Sequence, residues 1–456
     1  MPQSDNAFIS KISVKEVPEL NNLLVGDVSG YQVLVGKNIK EGELVVFFDA
    51  NTQLSEEFCE KNDLIKKTLP DGTKKGYIEE NRRIKALKFK QLKSEGLALP
   101  LDCLKYTGYD LSTLTPGMQF NNLNNHSICK KYITQASVKA SNALNKEGKA
   151  HKALITFPKS VDVGQFRKGL SLIPKGSLII ISAKLHGSSS RYINTLDTLP
   201  PKLFSILENK FFSKLKKYPK LNRFREIFKN LKYYAIKYFP RKEWVHLIGT
   251  RNVVLNSVPE NNIGSFYGSE KFRYDIHSNI KLHKNEILFG EIVGYLHNGK
   301  PIMASQDIIN FKNKSIIEKF GKKIIYKYGN IEGQCKLYVY RMALTNDDGY
   351  LITYSWEQME QRCKELGLDV VPVIDRFFYD GCAERLFKYV DKLVNGVDGM
   401  TAVPDIIDPS HFLEGCVIRY ESPYGIGWLK HKNFWFGVAE GFLREDPNFL
   451  DLEDVN

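Results

Sequence analysis

The chain has 456 residues, 43% of them hydrophobic, with 65 Lys and Arg against 52 Asp and Glu, a net charge of +13. That length exceeds one ordinary core and gives two or three domains at roughly 100–200 residues each. The apolar content excludes global disorder, and no apolar run approaches the roughly 20 residues that span a bilayer.

The basic balance points to a polyanionic partner. Met1-Pro2-Gln3-Ser4-Asp5 has neither the basic start nor the apolar stretch of a secretory signal. A soluble, intracellular protein without membrane association is expected. The seven cysteines, Cys59, Cys103, Cys129, Cys335, Cys363, Cys382 and Cys416, are scattered and none stands in Cys-x-x-Cys spacing. They read as small buried hydrophobes rather than a zinc site or a disulfide framework.

The first part of the chain reads as β-rich. Residues 31–37 and 43–49 are short runs of branched and aromatic residues, separated by the turn-like Asn38-Ile39-Lys40-Glu41-Gly42. Residues 82–89 alternate basic and apolar side chains in part, which predicts a strand with a basic outer face. Closely spaced short strands predict a small barrel.

From about residue 155 the pattern changes to strands alternating with helices. Strands are predicted at 177–182, 287–294, 336–342 and 416–421, and helices at 357–366, with Gly367 as the stop, and at 384–395. Between the first two of these strands lies Lys202 to Lys242, with thirteen Lys and Arg against Glu208 and Glu226. Phe211, Phe212, Tyr218, Phe224, Phe228, Tyr233 and Tyr234 are interleaved. The spacing of Phe224, Phe228 and Leu231 predicts a helix that turns many of these rings toward a core. The concentrated charge suits a polynucleotide backbone.

Candidate chemistry sits at strand ends. Lys184-Leu185-His186-Gly187 follows an apolar strand, where withdrawal from water and nearby positive charge lower a lysine's pKa and free the amine to attack. Gly187 allows close backbone approach to a bound nucleotide. Glu291 lies in an apolar strand between Gly290 and Gly294, and Glu414 at the start of another. Lys430 and Lys432 share one strand face, since side chains alternate with period two. Arg251 stands in a turn. Charges in apolar strands are costly unless paired or bound to a ligand, so their joint occurrence implies a polar site.

This ordered set resembles the covalent nucleotidyltransferase superfamily of polynucleotide ligases and capping enzymes. Lys184-Leu185-His186-Gly187 is similar to its nucleophile motif, Arg251 to the arginine that follows, and Gly290-Glu291 to the first acidic strand. Lys336-Leu337-Tyr338-Val339-Tyr340 is similar to the aromatic strand, Glu414-Gly415-Cys416-Val417-Ile418-Arg419 to the second acidic strand, and Lys430-His431-Lys432 to the closing lysine pair. His186 points to RNA ligases, because DNA ligases and capping enzymes generally carry Asp there. Only 24 residues follow Lys432, so no C-terminal barrel of the DNA-ligase kind is expected. Residues 31–54 and 83–100 look like the N-terminal OB domain of one RNA-ligase family.

The resemblance implies an α+β chain. An OB-like β-barrel that binds RNA (1–150) would precede a mixed α/β nucleotidyltransferase domain, an ATP-grasp-like ligase domain (151–456), with a basic helical insertion at about 200–243. It implies an ATP-dependent RNA ligase, monomeric, joining 3′-hydroxyl and 5′-phosphate ends of RNA or of a nicked RNA or RNA/DNA duplex, in nick sealing or RNA repair. Lys184 would become lysyl-AMP, with Mg2+ or Mn2+ bound at Glu414. Lys430 and Lys432 would stabilise the α-phosphate and help keep Lys184 neutral. Glu291 would hold the ribose, Tyr338 or Tyr340 the adenine, Arg251 a phosphate of the RNA end, and His186 the phosphate during transfer. Many relatives carry Glu immediately before the nucleophile, where this chain has Ala183.

Overall fold

The computed structural model describes residues 7–17, 20, 22–50, 52–68, 74–85, 87–89, 92–132, 157–160, 163–207, 210, 225–255, 267–311 and 313–440. The N-terminal part is built on strands β1 (Ala7–Lys15), β2 (Leu23–Val28), β3 (Tyr31–Gly36), β4 (Leu44–Asp49) and β5 (Thr52–Leu54), helix α1 (Glu56–Lys61), and strands β6 (Gly96–Pro100) and β7 (Cys129–Lys131). The main sheet runs β6-β4-β1-β2-β3, all antiparallel, and β5 pairs with β7. It is nearly closed on itself. Glu95 N–H donates to Gln32 O (2.8 Å), and Leu34 N–H donates to Ser94 Oγ (3.1 Å), which ties β3 to the chain entering β6.

Alternation explains why β4 is apolar throughout. Val46 and Phe48 enter one core with Ile9, Leu54 and Phe58, while Val45 and Phe47 enter another with Ile12, Val33 and Val35. The strand predicted over 82–89 shrinks to Leu87–Phe89, paired with Leu92–Ser94. Arg82 takes a positive φ of 55°, which breaks extended backbone at its first residue, and Ala86 lies outside the described residues.

Among the described residues, the rest of the chain forms two large sheets and one small pair, Gln306–Asp307 with Lys323–Ile324. Its elements are β8 (Gly164–Gln165), α2 (Phe166–Gly169), β9 (Leu178–Ala183), β10 (Ser188–Leu199), α3 (Arg225–Tyr238), β11 (Arg241–Gly249), α4 (Lys271–His277), β12 (Glu286–Gly294), β13 (Cys335–Thr345), β14 (Leu351–Thr353), α5 (Trp356–Leu366), β15 (Asp369–Val370), β16 (Val373–Phe378), α6 (Ala383–Asn395), β17 (Gly415–Ser422), β18 (Gly425–Lys432) and α7 (Phe434–Ala439). One sheet runs β8-β18-β17-β9-β16; the other runs β11-β10-β12-β13-β14, with β15 parallel on β13. The largest core joins them: Ile180 and Ala183 of the first sheet pack with Tyr192, Leu288, Ile292 and Val339 of the second. Leu386, Val390 and Val394, spaced four apart on α6, cover the outer face of the first sheet.

The predicted helices are present. Ser355 and Gln358 form a capping box at the start of α5, and Gly367 ends it in the left-handed conformation. Cys59, Cys129, Cys363 and Cys416 are buried.

The basic stretch sits between β10 and β11, which pair from Arg191 with Gly249 to Leu199 with Arg241. Its helix α3 is as expected, but its aromatic side chains are not turned inward. Phe228 meets Phe204 at 6.2 Å between ring centres, whereas Leu231, Tyr233, Tyr234 and Tyr238 are exposed. Helix α3 lies in the connection at the ends of β10 and β11, with Lys232 near Asp197 of β10. Phe211, Phe212, Tyr218 and Phe224 lie outside the described residues, as do Lys214, Lys216, Lys217, Lys220 and Arg223.

Candidate active site

The site grows from the crossing between the sheets. β9 belongs to one sheet and β10 to the other, so Lys184-Leu185-His186-Gly187 must pass from the first to the second. Ala183 ends β9 opposite Cys416, and Lys184 N–H donates to Gly415 O (2.9 Å). This register carries Lys184 to Glu414, the residue just before β17. Lys184 Nζ lies 2.5 Å from Glu414 Oε1, and Lys432 Nζ lies 3.7 Å from the same oxygen.

Glu414 is almost wholly buried, with 3% of its side chain exposed. Burial works to raise its pKa, but the Lys184 ammonium, His186 and Lys432 hold it well below the usual carboxylate range. Its second oxygen, Oε2, is buried and has no hydrogen-bond partner; His186 Nδ1 is 3.7 Å away.

The same pair corrects the sequence reading of Lys184. Desolvation does push its pKa down, but Glu414 outweighs that term and the net shift is upward. Without a ligand, Lys184 is therefore held as an ammonium rather than freed as an amine. Lys432 has its pKa lowered by burial and by the Lys184 charge, against the pull of Glu414. Lys131 on β7, in the N-terminal part, is near enough to Lys432 to lower it further.

Glu291 faces the nucleophile loop from β12, since it pairs with Ser189 on one side and Tyr338 on the other. Burial raises its pKa to about 7, Lys184 works against this and Glu414 adds to it. Arg251, in the turn after β11, adds a compensating charge to Glu291. Val339 pairs with Gly290 and Arg341 with Phe289, so a register shift leaves Tyr340 between them. Its hydroxyl lies 3.2 Å from Ser189 Oγ, beside Glu291, while Lys336 Nζ sits 5.1 Å from the centre of the Tyr338 ring. Gly187 also meets a packing requirement of the fold. A Cβ there would stand 2.4 Å from Ile292 O and 2.9 Å from Glu291 Cγ, so the close approach is to strand β12.

His186 is enclosed by aromatic rings. Tyr326 lies 4.8 Å and Phe436 5.0 Å from its centre, both edge-on, and its backbone N–H donates to Tyr328 Oη (2.6 Å). Its Nε2 is 3.9 Å from Glu440 Oε1. Ala183 is buried in the core between the sheets, on the opposite side of β9 from Lys184. A glutamate there would be an unpaired charge among apolar side chains.

Lys184, His186, Glu291, Tyr340, Glu414 and Lys432 thus converge, with Arg251 at the edge. Lys430 lies on the same face of β18 as Lys432 and pairs in register with Val417. The sequence reading missed the supports. Arg191, wholly buried, donates to the carbonyls of Thr250 (2.6 Å), Phe157 (3.3 Å), Pro158 and Val253 (3.4 Å), holding the turn that carries Arg251. Arg273 donates to Ser189 O (2.9 Å), Ser188 Oγ (2.5 Å) and Glu270 Oε2 (2.6 Å), fixing the start of β10. Arg191 follows three serines in a strand of mixed polarity and so lacks the signal of a charge in an apolar run that marked Glu291. Arg273, on a short helix, gives no such signal.

The model of the family described as RNA ligase matches residues 177–436, more than half of the chain. The chain belongs to the RNA ligase family. The match begins just before β9 and ends in α7, so it contains the whole set of converging residues except Lys131. Solved structures extend the likeness of this RNA ligase beyond the family match. A Naegleria gruberi RNA ligase mutant with AMP and manganese is 15% identical, with a TM-score of 0.56 over 94% of this chain and 97% of that one. A second mutant of it, with ATP and manganese, is 14% identical, with a TM-score of 0.56 over 97% and 99%. At that identity the likeness is one of fold, and it includes the barrel-like N-terminal part. Comparison with curated proteins finds no match. Among the described residues, no helix is long and apolar enough to cross a membrane.

Proposed function

We propose that this RNA ligase uses ATP to join 3′-hydroxyl and 5′-phosphate ends of RNA through covalent adenylylation of Lys184. The contact of Lys184 Nζ with the buried Glu414 carboxylate, at the loop joining the two sheets, carries this reading. The Lys184 amine attacks the α-phosphorus of ATP, the bond to the β-phosphate oxygen breaks, and pyrophosphate leaves. A 5′-phosphate oxygen of the RNA then attacks the same phosphorus and the N–P bond breaks, returning Lys184. A 3′-hydroxyl finally attacks the activated 5′-phosphorus and AMP departs. The covalent intermediate divides one difficult condensation into easier steps.

The residues fit a divalent cation. Glu414 Oε2 is an unpartnered buried carboxylate oxygen, and hard cations such as Mg2+ or Mn2+ take one or two carboxylates together with substrate phosphates. Among the described residues no group of three or more His, Cys, Asp or Glu could hold a metal alone, which agrees with a site completed by the nucleotide. When bound, the ion supplies charge neutralisation at the α-phosphate.

The chain's own groups do the rest. Drawing Glu414 away from Lys184 removes the charge that holds its proton, and burial then favours the neutral amine. Lys430 and Lys432 stabilise charge on the phosphate. Glu291, whose pKa burial raises to about 7, exchanges hydrogen bonds with the ribose hydroxyls. Adenine stacks on Tyr338 or Tyr340; ATP affinity in Tyr338→Ala against Tyr340→Ala assigns it. Arg251 contacts a phosphate of the RNA end, and His186 orients the phosphate during transfer.

Residues 1–150 serve as an OB-like RNA-binding domain and residues 151–456 as the adenylyltransferase. The basic hairpin grips the polynucleotide with lysines and the exposed Tyr233, Tyr234 and Tyr238. The deciding experiment incubates the protein with ATP labelled at the α-phosphate and a divalent metal, then runs a denaturing gel. A labelled full-length band absent from Lys184→Ala is expected; a band that persists in Lys184→Ala overturns the assignment.

A further inference from the structure

The strand that carries Lys430 and Lys432 is also where the N-terminal barrel is anchored. β8 adds to β18 in parallel, with Gly164 beside Leu429 and Gln165 beside Lys430. The chain turns at once into α2, whose Gly169 packs so closely that a Cβ would stand 2.3 Å from Leu429 Cδ2. The two cations of α2 both meet carboxylates of the barrel. Arg167 Nη1 lies 3.1 Å from both Glu95 oxygens, and Lys168 Nζ lies 2.8 Å from Asp49 Oδ2, with 2% and 6% of those last two side chains exposed.

The Arg167 guanidinium is held between rings from both parts, 4.7 Å from the centre of Tyr31 and 5.1 Å from that of Phe387. It also reaches Asp391 Oδ1 at 3.7 Å. Asp391 accepts from His431 Nε2 at 2.7 Å, and His431 is the residue between the two site lysines. The His431 ring is buried edge-on between Phe166 (5.8 Å) and Phe387 (6.1 Å). A continuous polar chain, Glu95–Arg167–Asp391–His431, therefore runs from the barrel to the centre of the Lys430-His431-Lys432 segment.

We propose that this chain makes the barrel a positioning element for the first chemical step: docking through Arg167 fixes His431, and His431 sets the direction in which Lys430 and Lys432 face the nucleotide. The proposal rests on the assignment of those lysines to the phosphates. Its physical basis is alternation. His431 points inward and its neighbours outward, so a rotation of one strand residue moves both lysines together, and phosphate stabilisation depends on prealigned charge. Arg167, Asp391 and His431 are positioning residues, since none faces the pocket.

The test is single-turnover lysyl-AMP formation from ATP, without RNA, in the full chain. Arg167→Gln is expected to raise the KM for ATP and slow the step by about 10- to 100-fold, the size of effect that a misplacement of about 1 Å produces. In a Lys432→Ala background the same substitution should cost less, because one of the two groups it positions is gone. Thermal melting checks that each variant is folded. Should Arg167→Gln fail to fold, Glu95→Gln, which keeps an oxygen to accept from Arg167 and from Gln32 N–H, takes its place with the same expected pattern at smaller size. A full-sized loss retained on Lys432→Ala, or an unchanged first step with weakened RNA binding, overturns the proposal while leaving the lysine assignment intact. A Lys432→Ala variant that itself adenylylates at the normal rate removes that assignment, and the proposal with it.

Discussion

Replacing Glu414 by Gln separates two consequences of one carboxylate. The substitution keeps shape and one acceptor oxygen but removes the charge facing Lys184 Nζ at 2.5 Å and Lys432 Nζ at 3.7 Å. Breaking a buried pair costs about 3–5 kcal/mol when the other charge stays trapped. Lys184 keeps 26% of its side chain exposed and can shed its proton, so a loss at or below about 3 kcal/mol is expected. The depressed Glu414 pKa means that its share is present above the unfolded carboxylate value and is lost as pH falls through the folded one. The raised Lys184 pKa means that its share is present below the ordinary lysine value and is lost as pH rises through the folded one. The wild-type pair's contribution is thus full from about pH 5 to about pH 10 and is lost beyond both ends. Within that window, acetylation of Lys184 by a small anhydride, read by mass spectrometry, should be faster in Glu414→Gln. AMP adduct formation should be slower by about 100-fold or more, because the cation's several kcal/mol are lost with the carboxylate. The reasoning is refuted if Lys184 acetylates no faster in the variant, or if the adduct forms at the wild-type rate.

Asp405 is buried and its pKa is raised to about 6, by desolvation first. A raised carboxylate pKa penalises the folded state once the group ionises, so Asp405→Asn should stabilise by up to about 3 kcal/mol at pH 7 and by little below about pH 4. The amide oxygen can still accept from Ile407 N–H, and denaturation at the two pH values is the check. Arg191→Met removes the donor to the carbonyls of Thr250, Phe157, Pro158 and Val253, which should cost about 3–5 kcal/mol in chemical denaturation and weaken RNA-end use more than ATP use. Neutralising Lys202, Lys232 and Lys237 together should weaken RNA binding and flatten its salt dependence while leaving the AMP adduct unchanged; an unaltered salt slope would count against the hairpin as a grip.

Most of the motifs were legible because they lie on or just beside strands whose apolar residues make a charge conspicuous in the sequence. Glu291 and Glu414 stand out as charges in apolar runs, and the structure brings both to the lysine loop. The barrel was legible from short branched runs, but residues 82–89 were overread, because a partial alternation does not reveal that Arg82 adopts a positive φ. The aromatic spacing of the basic stretch was equally ambiguous. A helix whose rings face solvent has the same periodicity as one that packs them inward, and the exposure of Tyr233, Tyr234 and Tyr238 decides between them.

The charge state of Lys184 was not legible at all, for a reason that applies to the whole site. A lysine at the end of an apolar strand shows its desolvation locally, and desolvation alone argues for a low pKa. The opposing term comes from a residue 230 positions later in the chain. It is set by the antiparallel register of β9 on β17, which places Ala183 opposite Cys416 and so puts Lys184 beside Glu414. A slip of one residue would send the Glu414 side chain to the other face of the sheet, leaving Lys184 without its counter-charge. The same register that builds the pocket therefore also keeps the nucleophile protonated until a cation competes for Glu414, a property of the pairing rather than of either residue's neighbourhood.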